Sequence, residues 1–147
     1  MLQTVTVKKT LAHPIDDVWE FLVDGRNDER WCPMVSDCEL VEGEPGAGAL
    51  YRYEQSQGGG LPTITVTMRT TVADRPTELA WEAESGVAHR TTMRLEDRDG
   101  DRTRVVQTNT VEMPNPVLQV AWYLGAQAVL RTQLRRLAEA LAGGGES

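Results

Sequence analysis

The sequence predicts an α+β fold in which a curved, seven-stranded antiparallel sheet wraps around a long C-terminal helix, with two short helices after the first strand. The first observation is a helical pattern from Pro116 to about Ala142, which would be ~40 Å long at ~1.5 Å per residue. A compact domain of this length has a radius of gyration of only ~15 Å, so one helix would span it. The second observation is that residues 37–113 contain no other helical pattern. The third is that short segments rich in Gly, Pro or Asp separate the strand-like runs, as they do between antiparallel strands.

The N-terminal part of the chain predicts one strand and two short helices. Residues 4–11 place apolar side chains on one face, which is typical of a half-buried strand. Pro14 then begins a helix, because a proline in the first helical turn sacrifices no hydrogen bond. A second helical turn is predicted at 27–31 and ends before Pro33. The inward residues of the strand and the first helix are Val5, Val7, Leu11, Ile15, Val18, Trp19 and Leu22.

Six further strands complete the predicted sheet. Their connections are too short for the crossovers that parallel strands need, so they suit antiparallel hairpins. Asn115 is a plausible N-cap for the closing helix that Pro116 begins. We expect a single domain at 1–142, followed by a flexible tail at 143–147. The six strands are predicted at 37–42, 49–55, 63–73, 78–84, 87–96 and 103–113.

Size, charge and hydropathy exclude several classes of protein. A chain of 147 residues with 40% apolar and 25% charged residues is expected to form one globular domain. The net charge of −7 would repel phosphate backbones, so a nucleic-acid partner is not expected. The N-terminus lacks the apolar region of a signal peptide, and no apolar stretch approaches the length of a membrane span. These features indicate a cytoplasmic protein without membrane insertion.

Motifs for metal, cofactor or nucleophile chemistry are missing from the sequence. Cys32 and Cys38 are expected to be free thiols in a reducing compartment, and their spacing matches no redox motif. The chain has two histidines and no His-Glu-x-x-His pattern, which argues against a metal site. It also has no Gly-x-Ser-x-Gly pattern, so a hydrolase is not indicated. We therefore expect no cofactor.

Three segments carry a resemblance to a known family. They are HPIDDVWEFLVDGRNDERWCPMV at 13–35, GEPGAGALYRYE at 43–54 and GDRTRVVQTNTVEMP at 100–114. Together with the order of elements, they make the chain resemble the START-like superfamily (SRPBCC, with the helix-grip or Bet v 1-like fold), close to its bacterial polyketide cyclase/dehydrase and lipid-transport branch. The resemblance extends over essentially the whole chain. The superfamily includes aromatase/cyclases, lipid and quinone carriers, hormone receptors and chaperone cofactors, so the fold alone does not decide the function.

Alternation along the strands predicts which side chains face the closing helix. A buried polar group without a partner costs roughly 1–3 kcal/mol, so several inward polar residues indicate a pocket holding water or a ligand. The alternative is that they hydrogen-bond to one another across neighbouring strands. The predicted inward residues are Tyr51, Tyr53, Ile64, Val66, Met68, Val72, Val87, His89, Thr91, Met93, Leu95, Val105, Gln107, Asn109, Val111 and Met113.

The closing helix has an apolar face in its second half that becomes partly polar toward its start. The apolar part consists of Leu130, Leu134, Leu137 and Leu141, and the polar extension consists of Gln119, Tyr123 and Gln127. A second apolar stripe is predicted on the side away from the sheet, formed by Leu118, Trp122 and Val129. This stripe is a candidate homodimer or partner surface, unless the short helices cover it.

A cyclase of the kind implied by the resemblance would need a proton-transfer group that works near neutral pH, together with donors that stabilise an enolate. His89 is the only inward histidine, so it is the candidate acid/base, with Tyr51 and Tyr53 as candidate donors. Arg69 and Arg90 fall on the outer face, which weighs against catalysis. The ligand-binding residues are predicted to be Met68, Trp81, Met93, Gln107, Asn109, Gln119, Tyr123, Gln127 and Leu130.

The function therefore has three interpretations. The chain binds a hydrophobic, partly oxygenated small molecule, either as a polyketide cyclase/dehydrase-like enzyme or as a non-catalytic carrier of a lipid, quinone or other hydrophobic ligand. Alternatively, it is a partner-binding domain with a vestigial pocket. The connection at 56–62 is expected at the pocket mouth, where three glycines at 58–60 would form a mobile lid or an ordinary flexible hairpin.

Overall fold

The computed structural model describes residues 2–56, 60–85, 88–112 and 116–143, with the backbone alone for residues 116, 118, 119 and 121–123. Within these ranges the order of elements agrees with the prediction. The predicted tail differs at its first residue, since Gly143 still belongs to the last helix, and the rest of that tail lies outside the described residues. The elements are β1 (Leu2–Leu11), α1 (Ile15–Val23), a 3₁₀ helix (Gly25–Arg30), β2 (Val35–Glu42), β3 (Leu50–Gln55), β4 (Ile64–Asp74), β5 (Glu78–Ser85), β6 (His89–Arg98), β7 (Arg102–Glu112) and α2 (Pro116–Gly143).

The described strands form one seven-stranded antiparallel sheet in the order β1-β7-β6-β5-β4-β3-β2. Strands β2 to β7 follow one another as hairpin neighbours, and β1 lies beside β7 at the opposite edge from β2. The β1–β7 pairing is regular from Leu2 opposite Glu112 to Leu11 opposite Thr103. The predicted fold class, a curved antiparallel sheet with a long C-terminal helix and short helices after the first strand, is confirmed.

The main hydrophobic core lies between the second half of α2, the sheet and α1. Leu130, Leu134 and Leu137 are no more than 3% exposed, and they belong to one cluster with buried residues of β1, α1, β5, β6 and β7. Each such side chain stabilises the fold by about 1.5–3 kcal/mol. Leu141, the fourth leucine of the predicted apolar face, packs at the edge of the same cluster. These four leucines are called the leucine anchor below, because they hold the second half of α2 against the sheet.

A register irregularity changes the pattern of β4. The strand alternates as predicted as far as Thr70, with Val66 and Met68 buried, and its pairing with β5 shifts between Thr70 and Val72. Beyond the shift, Ala73 packs against the core instead of Val72. The prediction that Val72 faces inward is wrong, because an extra residue in a strand reverses the alternation that follows it.

The 3₁₀ helix follows α1 directly and packs against β2. The carboxylate of Asp24 caps it by accepting a 3.0 Å hydrogen bond from the backbone N–H of Arg26. Gly25 is required for close packing, since a Cβ atom at this position would lie 2.9 Å from the ring of Tyr51. These contacts fix the turn that carries Asp28 on the inner side of the molecule.

No helix in the described part of the chain is both long enough and apolar enough to span a lipid bilayer.

Candidate functional site

A cavity of about 450 Å³ lies between the concave side of the sheet and residues 125–133 of α2. It lies next to the main core, and Leu130 belongs to both. Most of its wall is apolar. The apolar lining includes Val35, Ile64, Val66, Met68, Trp81, Ala83, Val111, Ala126, Val129 and Leu130.

A hydrogen-bonded row of side chains forms the polar part of the cavity wall on β6, β7 and α2. The amide nitrogen of Gln107 donates to Asn109 Oδ1 at 3.2 Å and to Gln133 Oε1 at 3.1 Å. The amide nitrogen of Asn109 lies 3.1 Å from His89 Nε2, and Thr91 Oγ1 lies 3.2 Å from the same ring nitrogen. The inward polar residues of β6 and β7 therefore bond to one another and also border the cavity.

The orientation of the Asn109 amide indicates the tautomer of His89. With the amide nitrogen facing the ring, Nε2 of His89 accepts the bond and the neutral ring carries its proton on Nδ1. Burial lowers the pKa of His89 below its ordinary value of 6.5, which favours the neutral form near pH 7. His89 is thus held as a neutral imidazole with its Nε2 lone pair already occupied.

A fully buried oxygen of the polar row lacks a partner among the described residues. Gln107 is 1% exposed, and its Oε1 accepts no hydrogen bond from any residue that the structure describes. Both hydrogens of its amide group are used by Asn109 and Gln133, so Gln107 can only accept a further bond. A buried acceptor left in this state costs about 1–3 kcal/mol, which a donor on a ligand or a water molecule would offset.

Asp28 supplies an acidic group on the side of the cavity formed by the 3₁₀ helix. Its Oδ1 accepts a 3.3 Å hydrogen bond from Trp31 Nε1. Burial raises the pKa of the Asp28 carboxyl to about 7, and the bond from Trp31 opposes this only in part. Asp28 therefore exchanges a proton close to neutral pH.

The other titratable groups described in the cavity wall, and the neighbouring Cys38, are neutral near pH 7. Cys32 is buried and Cys38 is partly buried, and both are free thiols. Burial raises the pKa of the Cys32 thiol, and burial with the nearby Asp28 raises that of Cys38 to about 12. Burial likewise raises the pKa of the Tyr53 hydroxyl. Neither thiol is a thiolate nucleophile under these conditions.

The structure brings most of the predicted site residues together. Met68, Trp81, Gln107, Asn109 and Leu130 line the cavity, as do the candidate catalytic residues His89 and Tyr53. Trp81 also packs against the hydrophobic core. The side chains of Gln119, Tyr123, Leu118 and Trp122 lie outside the described residues, as do Gly58 and Gly59 of the predicted lid, Val87 and Met113.

Three predicted residues are placed elsewhere. Tyr51 borders a small recess beside the cavity, and its hydroxyl donates to the carbonyl oxygen of Val23 at 3.4 Å, so it does not lie with His89. Met93 is fully buried in the main core, because it lies opposite the leucine anchor. Gln127 is not part of the cavity lining. None of these three residues lines the cavity.

Sequence reasoning does not identify Asp28 or Gln133 as site residues. Gln133 follows Leu130 by three positions and so shares its helix face, but Gln127 lies equally close on the other flank. A helical wheel cannot choose between the two flanks. The same ambiguity affects Val129, which was predicted to face away from the sheet but borders the cavity at a position 39% exposed. For Asp28, no local pattern shows which side of a single helical turn faces inward.

Cationic side chains are missing from the described lining of the cavity. Arg69 lies on the outer face, as predicted, and pairs with Glu84 at 2.6 Å and Glu42 at 2.8 Å. Arg90 lies 3.5 Å from Glu82 on the same face. Within the described ranges, no three His, Cys, Asp or Glu side chains are grouped closely enough to hold a metal ion.

Comparison with known proteins gives one family and two similar structures. The family model described as "Polyketide cyclase / dehydrase and lipid transport" matches residues 3–142. The crystal structure of Ara h 8.0201 is similar with a TM-score of 0.73 and 15% identity, covering 97% of this chain and 99% of the other. The aromatase/cyclase ZhuI from Streptomyces sp. R1128 is similar with a TM-score of 0.76 and 20% identity, covering 99% of this chain and 94% of the other. At these identities the likeness shows the fold alone. No curated protein sequence matches the chain.

The hydrogen bond from Asn109 predicts the protonation of His89. In ¹⁵N-labelled protein at pH 7.5, long-range ¹H–¹⁵N correlation should show His89 as the neutral tautomer with its proton on Nδ1. His13 is the only other histidine in the chain, so a His89→Gln variant assigns the signals. A proton on Nε2 would contradict the described direction of the polar row.

The raised pKa of Asp28 predicts how an Asp28→Asn variant responds to pH. Between pH 3.8, the ordinary value, and about 7, the unfolded chain has lost this proton while the folded protein retains it. Raising the pH through that window therefore lowers the free energy of unfolding of the wild type. The variant has no carboxyl at this position to deprotonate. Its free energy of unfolding should therefore equal that of the wild type at pH 4 and exceed it by on the order of 1–3 kcal/mol at pH 8. Denaturant unfolding at both pH values measures the difference, with Glu44→Gln on an exposed loop as the control for charge. An Asp28→Asn effect that is the same at both pH values would show that the carboxyl is not perturbed.

Proposed function

This chain belongs to the polyketide cyclase/dehydrase and lipid-transport family, and from that premise we propose that it binds an apolar, partly oxygenated small molecule in the cavity beneath α2. The observation that carries the proposal is the cavity itself. Its volume of about 450 Å³ is in the range of small-molecule sites, which are mostly apolar with a few fixed polar groups. Hydrogen-bonded strands and a helix with buried leucines form its walls, so the space is held open by the fold.

The cavity supports a small-molecule function better than a vestigial pocket. Tyr53, one of the side chains large enough to fill the interior, lies in the wall, and Tyr51 packs over Gly25 instead of entering the space. The partner-binding alternative rests on the predicted stripe of Leu118, Trp122 and Val129, of which Val129 has a described side chain, 39% exposed. Further exposed apolar side chains on α2 are Val117, Val120 and Leu124, at 61–78% exposed. Nothing in the described structure covers them, so they do not by themselves identify a partner.

In the cyclase/dehydrase version of the proposal, the cavity would close a ring in a poly-β-ketone. A base removes a proton from a carbon next to a carbonyl, the resulting enolate carbon attacks a second carbonyl, and water is then lost. Asp28 suits the base because its carboxylate oxygens accept protons near neutral pH. His89 suits a donor to a carbonyl oxygen through Nδ1–H, since its Nε2 is held by Asn109. Tyr53 is a second donor.

In the carrier version, the same groups only position the ligand. The lining is predominantly apolar, which is sufficient to hold a lipid or quinone by shape and hydrophobic burial. His89 and Asn109 would then satisfy an oxygen atom of the cargo without transferring a proton. The family description includes both activities, so the two versions need a direct comparison.

Blocking the cavity tests the proposed binding. Ala126 lines the cavity, whereas Ala128 on the same helix is exposed. Ala126→Phe should weaken the binding of the neutral fluorophore 1-aminoanthracene at least 10-fold, because the added ring occupies the space, and Ala128→Phe should leave it unchanged. Fluorescence titration gives both dissociation constants, and native mass spectrometry of the purified protein shows any ligand that stays bound. Equal affinity of the two variants, or no binding by the wild type, would overturn the proposal.

A His89→Ala variant separates the enzyme from the carrier. Removing the imidazole should leave the affinity for 1-aminoanthracene within about 3-fold, since most of the contact area is apolar. If the chain is a cyclase, ring formation from a poly-β-ketone substrate should fall by about 10²–10³-fold, the usual contribution of one donor to a developing oxyanion. Product analysis by mass spectrometry measures this step. Wild-type protein that binds the substrate and forms no ring above the uncatalysed background is a carrier.

A further inference from the structure

We infer that the cavity selects neutral ligands that carry a hydroxyl group and discriminates against carboxylates such as fatty acids. The inference rests on the proposed binding function and specifies the chemical class of its ligand. It is carried by three features of the wall: the lack of a cation, the presence of Asp28, and the unpartnered oxygen of Gln107.

The first feature is the charge of the lining. An anion taken from water into an apolar space needs a cation or several donors to compensate for its lost hydration. None of the described lining residues is Lys or Arg. The arginines of the neighbouring strands, such as Arg69 and Arg90, point to the outer face and are paired with glutamates there. A ligand carboxylate would therefore have no counter-ion in the described wall.

The second feature makes an anion still less favourable. Asp28 is an acid in the cavity wall, where its surroundings already disfavour the charged form. A ligand carboxylate in the same space would place two like charges in a medium of low dielectric constant, so one of them would have to be protonated. A neutral ligand has no such cost, and its hydroxyl group can donate to the Asp28 oxygens.

The third feature points to a hydrogen-bond donor on the ligand. Gln107 uses both of its amide hydrogens within the polar row and keeps Oε1 without a partner. A ketone or ether oxygen cannot satisfy an acceptor, whereas a hydroxyl group can donate to it. Gln107 borders the cavity while its Oε1 is buried, so a phenol, enol or alcohol that reaches β7 would supply the missing bond once the Gln107 side chain shifts toward the ligand.

Three probes of similar shape test the inference without any variant. They are 2-naphthol, which donates a hydrogen bond; 2-methylnaphthalene, which has a methyl group in place of the hydroxyl; and 2-naphthoate, which is an anion. At pH 7.5 we expect 2-naphthol to bind about 3–10-fold more tightly than 2-methylnaphthalene, although hydrophobic transfer alone favours the methyl compound. We expect 2-naphthoate to bind at least 10-fold more weakly than 2-naphthol. Equilibrium dialysis measures all three dissociation constants.

Two variants connect the selectivity to the named residues. Gln107→Met should remove the preference for 2-naphthol over 2-methylnaphthalene, because methionine has a similar length and no amide oxygen. Asp28→Asn should narrow the difference between 2-naphthol and 2-naphthoate by at least 3-fold, whereas Glu44→Gln, which removes an exposed charge, should not. Circular dichroism checks that each variant is folded. If a variant is unfolded, the three dissociation constants of the wild-type protein still test the inferred selectivity.

The outcomes distinguish this inference from the proposed function. If the wild type binds all three probes equally well, or prefers 2-naphthoate, the inferred selectivity is wrong and the binding function stands. If 2-methylnaphthalene binds as tightly as 2-naphthol, the donor requirement at Gln107 is wrong. If none of the three binds, the proposed function fails as well.

Discussion

A single helix, α2, covers the concave side of a seven-stranded sheet. The helix is much narrower than the sheet, and this difference in width determines most of the interior. The leucines at 130, 134 and 137 pack α2 tightly against strands and α1, so the second half of the helix is fixed. Farther toward the start of α2, the curved sheet and the helix leave about 450 Å³ between them. A packed interior seldom leaves such a space, because every unfilled volume costs dispersion contacts. The regular β1–β7 pairing and the leucine anchor supply the stability that allows it here.

The ion pairs of the sheet strands lie away from the cavity. Arginines and glutamates pair on the outer face, where water reduces the energy of their interaction. In the cavity wall the described residues that can titrate are Asp28, Cys32, Tyr53 and His89, and burial shifts each of them toward its neutral form. The chain as a whole carries a net charge of −7, whereas the cavity is close to neutral. This contrast is the basis for expecting an uncharged ligand.

The polar row of Gln107, Asn109, His89 and Gln133 explains why the same cavity suits a carrier or a cyclase. Its members bond to one another, and among the described residues they still leave one acceptor on Gln107 and one donor on His89. A carrier needs only those two groups to orient its cargo. A cyclase needs a base as well, and Asp28, on the side of the cavity formed by the 3₁₀ helix, is the residue whose pKa suits that role. The two activities would thus differ in the use of one carboxyl group.

The sequence by itself determines the order of the elements, the antiparallel sheet and most of the inner face. Local turn residues and two-residue alternation depend on neighbours in the chain, so Met68, His89, Gln107 and Asn109 can be placed inward from the sequence. Only the tertiary structure decides what depends on distant contacts. The irregularity in β4 exchanges Val72 for Ala73, the packing of Gly25 against Tyr51 turns Asp28 inward, and the rotation of α2 selects Gln133 over Gln127. Each of these outcomes depends on contacts between side chains far apart in sequence. Such contacts form only when the sheet and the helix are assembled.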